Sequence, residues 1–135
     1  MLLNRKTLSL AAAKAMAAAA SAKAQAEGWT VVIAVVDAGG CLIYLERADE
    51  TQLGSVQVAQ EKARTALMFK RPSKALEDAV LGGKPHMAQL PGATPIEGGL
   101  PVVIDGDHVG AIGVSGVQSF QDGQVAQAGV DALTG

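Results

Sequence analysis

A few residues in this chain are of types that do chemistry. Lys62 stands in the run GSVQVAQEKARTALMFKRPS. On a helical wheel it falls between Val58, Ala59, Ala66 and Phe69, while Gln57, Gln60, Glu61 and Arg64 take the polar side. A lysine edging an apolar face can lose solvation and serve as acid, base or anion anchor. The same placement also suits a side chain that snorkels to water. Glu97 precedes Gly98-Gly99, where a carboxylate could take or give a proton. Arg71 precedes Pro72 and could clamp a substrate carboxylate with its planar fork. Lys62, Arg71 and Glu97 would form a catalytic set for a small organic acid, with His86 beside them, if the fold brings them together. His86 and its neighbour Met87 are both iron-ligand types, although a loop histidine is more often simply solvated.

The remaining candidates read more plainly. His108 sits beside the Asp105-Gly106 turn as an exposed strand residue. Tyr44 could ligate iron but fits a core or cross-strand place better. Asp122, three residues after Ser119, fits a capping box. Cys41, inside a β-rich run, reads as a small core residue. One cysteine makes no internal disulfide and no zinc cage, so no metal site is expected.

The stretch GGLPVVIDGDHVGAIGVSG, Gly98 to Gly116, tests three phosphate or nucleophile motifs and fails them. Gly110, Gly113 and Gly116 are spaced G-x-x-G-x-x-G, not G-x-G-x-x-G. Ser115 has its second glycine one place too early for a nucleophile elbow. No G-K-[ST] is present. Asp105-Gly106 between Val102-Val103-Ile104 and Val109 to Ser115 is instead a hairpin signal. The glycines would let a helix or another subunit approach the sheet closely.

Other elements must position these groups. Eleven of the sixteen residues from Ala11 to Ala26 are alanine, which predicts a thin amphipathic helix ended by Gly28. Thr30 to Arg47 is a second hairpin, around Asp37-Ala38-Gly39-Gly40. Val56, Ala59, Ala63 and Ala66 form one helical stripe. Pro72 should break that helix, and Ser73 can cap a short one, SKALEDAVL. Gly82 to Gly99 is loop-like and carries Pro85, Pro91 and Pro95; loops this long are usually functional or mobile. SFQDGQVAQAGVDALTG is a last helix. The order helix, hairpin, helix, loop, hairpin, helix predicts one α+β domain over residues 1–135, with an antiparallel sheet of two hairpins flanked by helices.

Composition narrows the function classes. The 135 residues hold 3% aromatics and 16 glycines, so the core must be aliphatic and thin, which favours a homo-oligomer. A net charge of −2 argues against nucleic acid. No apolar run is long enough for a membrane span. The N-terminus weakly resembles a signal peptide, but Lys14 and Lys23 interrupt it, so a cytoplasmic protein is expected.

The segments VVDAGGCLIYLERAD, AQEKARTALMFKRPS and GGLPVVIDGDHVGAIGVSGVQSFQDGQVAQAG resemble the GlcG/HbpS family, the haem-degrading-domain family that includes the C-terminal domain of PduO. The likeness runs from about Leu3 to Leu133. It implies a profilin-like fold, dimers that assemble further, often to octamers, and for several members haem at subunit surfaces or corrinoid links. Others sit in catabolic operons. Haem-binding relatives can use a histidine from the N-terminal helix; this chain has none there, which leaves His86 and Met87 as the available ligands. Two readings follow. One is an oligomer holding haem, a related tetrapyrrole or another small ligand at a subunit interface. The other is a cofactor-independent tautomerase or isomerase moving a proton on an organic acid. Small tautomerases use an N-terminal proline; Leu2 follows Met1 here, so Lys62, His86 or Glu97 would have to serve.

Overall fold

Gly28 adopts φ 75°, the left-handed conformation a helix end needs, and its N–H closes back on Ala24 and Gln25. It ends α1 (Leu10–Glu27), whose start is capped by the Ser9 hydroxyl accepting from the Ala12 N–H at 3.1 Å. The computed structural model describes residues 1–135. After α1 come β1 (Val32–Asp37), β2 (Leu42–Arg47), α2 (Gly54–Met68), α3 (Ser73–Leu81), a 3-10 turn (Pro85–Gln89), β3 (Gly99–Ile104), β4 (Asp107–Ser115) and α4 (Ser119–Thr134). No helix is long and apolar enough to cross a membrane.

Both expected hairpins form. Asp105 and Gly106 take φ 50° and 82°, the paired positive values of a two-residue hairpin turn. In the first hairpin the Asp37 carboxylate accepts from the Gly39 and Cys41 N–H groups and shapes the turn. The four strands form one antiparallel sheet in the order β2-β1-β4-β3, so the two hairpins join through β1 and β4. Those central strands are covered on both faces, which is why Val32 to Val36 are apolar without alternation. Ile33, Val35, Ile112 and Val114 pack with Met16, Ala20 and Val125 of α1 and α4. Val32, Ala34, Val36 and Ala111 face the other way, onto Ala59, Ala63 and Ala66 of α2. The sheet is the middle layer of three.

Helix α2 lies unusually close to the strands. A Cβ at Gly113 would run into the Ala59 carbonyl and stand 2.6 Å from the Ala63 nitrogen. Gly113 therefore serves close helix packing, and no subunit contact is needed to explain it; Gly110 instead makes room for the Leu8 side chain and the Val36 carbonyl.

Four local expectations are corrected. Pro72, not Ser73, holds the N-cap position of α3, and the Ser73 side chain is turned inward to other partners. The start of α4 is capped through Gln121, whose side chain accepts from the Gln118 N–H at 3.1 Å, so Ser119 and Asp122 do not form a capping box. Cys41 lies outside the strands and is exposed, because the turn lifts it off the sheet. The Gly82–Gly99 stretch is not all loop, since Pro85–Gln89 winds into the 3-10 turn.

Gly113→Ala should cost about 3 kcal/mol or more, the upper end of overpacking effects, because backbone rather than a flexible side chain blocks the new methyl. A urea midpoint within error of wild type would contradict this packing.

Candidate functional site

The same closeness buries Lys62. A Cβ at Gly99 would run into the Lys62 carbonyl, and one at Gly98 would stand 2.8 Å from Lys62 Nζ. Only glycines let β3 enter the sheet over this helix. Lys62 is 1% exposed, and its ammonium donates to Asp122 Oδ2 and to the Val114 carbonyl, both at 3.0 Å. Asp122, 2% exposed, uses its other oxygen to accept from the Val117 N–H at 3.1 Å. Burial pushes the Asp122 carboxyl above its ordinary range, against the pull of the Lys62 ammonium and the Val117 and Gly116 N–H groups. Lys62 is thus not a snorkelling side chain. It is one half of a buried ion pair joining α2, β4 and α4.

Glu97 stands next to this pair. Its carboxyl covers Gly123 of α4, where a Cβ would be 2.7 Å from Glu97 Oε2. It is half-buried, and burial pushes its pKa up; the Lys74 ammonium opposes this, and the Glu77 and Asp78 carboxylates add to it. Two hydroxyls fix the segment that delivers it. Ser73 Oγ donates to the Ile96 carbonyl at 2.6 Å and accepts from the Gly99 N–H at 2.9 Å. Thr65 Oγ1 donates to the Gly92 carbonyl at 3.0 Å and accepts from the Thr94 N–H at 2.9 Å.

The expected four-residue set does not assemble. Glu97 lies close enough to Lys62 to feel its charge, but Lys62 bonds to Asp122 and Val114 and not to Glu97. Arg71 is exposed and its Nε donates to the Phe69 carbonyl at 2.8 Å. His86 is exposed and Met87 half-buried on the 3-10 turn, and neither side chain bonds to Lys62 or Glu97. Tyr44 donates to Glu46 at 3.3 Å, and the Glu46 charge raises the phenol's pKa, which works against iron ligation. No cluster of three or more His, Cys, Asp or Glu side chains could hold a metal ion.

Sequence reasoning missed two things. One is Asp122 as the partner of Lys62. The other is a cleft of about 470 Å³ at the β1–β2 turn, lined by Arg5, Arg64, Lys70, His108, Leu67 and Met68 among others. His108 is half-buried there, not simply exposed. None of the molecule's three clefts is lined by Lys62, Glu97 or His86.

Comparison with known proteins gives a consistent picture. A family model described as haem degrading protein HbpS-like matches residues 8–131. Protein GlcG of Escherichia coli (strain K12) is 44% identical over 89 residues, 66% of this chain and 66% of GlcG, just under two thirds of that relative's length. The crystal structure of a Streptomyces reticuli HbpS double mutant superposes with a TM-score of 0.91 at 34% identity, over 98% of this chain and 90% of that one. The crystal structure of a PduOC–haem complex gives a TM-score of 0.85 at 29% identity, over 94% of this chain and 95% of that one.

Two measurements probe the pair and its neighbour. Lys62→Met strands a buried carboxyl and should cost about 3–5 kcal/mol, whereas Lys62→Met with Asp122→Leu should recover most of that loss. A double-variant loss equal to the sum of the Lys62→Met and Asp122→Leu losses by urea denaturation would show that the two groups are uncoupled. Glu97, raised from 4.5, binds its proton more tightly folded than unfolded. Its contribution to stability is therefore full below about pH 4.5 and is lost as pH rises through the folded value. Between about pH 4 and pH 7 wild type should lose more stability than Glu97→Gln; parallel pH profiles would contradict the raised carboxyl.

Proposed function

The chain belongs to the HbpS-like family of haem degrading proteins, and from that premise we propose that it is a binding protein holding haem or a related tetrapyrrole between copies of itself, with His86 as axial ligand and Met87 beside it. The observation that carries this reading is the PduOC–haem complex, which shares this fold over 94% of the chain. The local chemistry supports it. His86 is exposed on a single turn of 3-10 helix and makes no hydrogen bond, so its ring is free to meet a ligand. The turn packs on α3, whose last residue, Leu81, is exposed and apolar. Small-molecule sites bury about 70–90% of their ligand, and no cleft encloses His86. The missing wall must come from a second copy, in an assembly larger than a dimer on the family's pattern.

A second reading rests on Glu97. Its raised pKa and partial exposure suit proton transfer on an enol acid such as a 2-hydroxydienoate. Lys62 is committed to Asp122, so Glu97 would act without it, and Arg71 would need a substrate to reach it. The haem reading asks for less rearrangement.

Titrating haemin into the protein should give a sharpened Soret band that His86→Ala weakens, and light scattering should give a mass well above the 13.7 kDa of one chain. A spectrum identical to free haemin would end the tetrapyrrole reading. A stable monomer would remove the enclosing wall it depends on.

A further inference from the structure

We propose that the cleft at the β1–β2 turn is a second, separate site, for a small organic anion carrying one or two carboxylates on a short apolar frame. Its volume of about 470 Å³ falls within the range of small-molecule sites, about 300–1,000 Å³. A chain of net charge −2 places Arg5, Arg64, Lys70 and His108 around this one opening. An adjoining cleft of about 270 Å³ shares Arg5, Lys70 and His108 and adds the acidic Asp107 to its lining.

Two of these basic groups, Arg5 and Lys70, are free to meet an anion, and Arg64 is held in place beside them. Lys6, Lys23, Lys62, Arg64 and Lys74 make the molecule's ion pairs, so Arg5 and Lys70 have no carboxylate partner. Arg64 is paired with Glu61 at 2.9 Å, while its Nε donates to the Gly40 carbonyl at 3.3 Å and holds the guanidinium at the mouth. Arg5 is carried on an N-terminal arm pinned at two following residues. Thr7 Oγ1 accepts from the Ala38 N–H at 2.9 Å, and the Leu8 N–H donates to the Val109 carbonyl at 2.9 Å while its side chain joins the core. Lys70 takes φ 54° as the left-handed residue that ends α2, with the Arg71 N–H closing back on the Ala66 carbonyl, which fixes its backbone at the cleft.

The turn itself says which anion. A phosphate site usually offers free backbone N–H groups. Here Ala38 donates to Thr7, Gly39 and Cys41 to the Asp37 carboxylate, and Gly40 to the Asp37 carbonyl. Recognition must therefore come from side chains. Arginine forks match the planar carboxylate, and Leu67 and Met68 supply an apolar wall for the rest of the ligand.

The test is amide NMR titration of the full chain with succinate, benzoate, inorganic phosphate and chloride at matched ionic strength. The carboxylates should give saturable shifts at Gly39, Gly40, Lys70 and His108. Arg5→Gln with Lys70→Gln, both exposed positions, should weaken succinate at least about tenfold while leaving the urea midpoint unchanged, and His86→Ala should leave it unaffected. Carboxylate groups also occur on haem, so haemin is added to the succinate complex. Persistence of the cleft shifts supports a small free acid. Displacement of succinate would overturn the proposal in favour of a propionate subsite. It is equally overturned if phosphate or chloride matches the carboxylates, or if the double variant binds as wild type.

Discussion

The distance between α2 and the sheet is the constraint on which the rest of this structure depends. Helix and strands meet backbone to backbone at Gly113 and Gly99, with the small side chains of Ala59, Ala63 and Ala66 facing the strands. Dispersion attraction rewards such contact only when nothing is left unfilled. An aromatic-poor chain can therefore build a dense core, because small residues substitute proximity for bulk. The other face is filled differently, by Met16, Ile33, Ile112 and Val125, which need more room.

This closeness has an electrostatic consequence. A lysine on the third turn of α2 cannot reach water past Gly98 and Gly99, so its charge must be met inside. Asp122 and the Val114 carbonyl meet it, and no buried side-chain polar atom is left without a partner. Desolvating both ions costs much of what their attraction returns. The pair is better understood as fixing where α4 begins than as a large source of stability. At nearby Glu97 burial is the main influence, with the Lys74 ammonium opposing it and the Lys62 ammonium adding only a smaller pull.

The surface features have a different origin. His86 is held on a turn that nothing in the chain encloses, which suits a ligand gripped from two sides by two copies. The basic cleft is enclosed within one copy and draws on the N-terminal arm, the end of α2 and the β3–β4 hairpin.

The sequence alone determined the elements whose causes are local. Asp105-Gly106 and Gly28 announce a hairpin and a helix end because few residues tolerate positive φ. The alanine run announces α1, and Asp105-Gly106 places the glycine-rich stretch in a hairpin. The two hairpins and the α+β class follow, and the motif order carried the family. Contacts distant in sequence were decided by the tertiary structure. Lys62 and Asp122 are 60 positions apart, and alone one reads as a lysine edging an apolar face and the other as a helix cap. Cys41 is moved out of the core by a turn that the β-rich pattern conceals. Arg5, Arg64, Lys70 and His108 show no common spacing, since a cleft is made by chain crossings and not by periodicity. Local dihedral preference is written residue by residue, whereas burial and charge partnership exist only once the layers have closed.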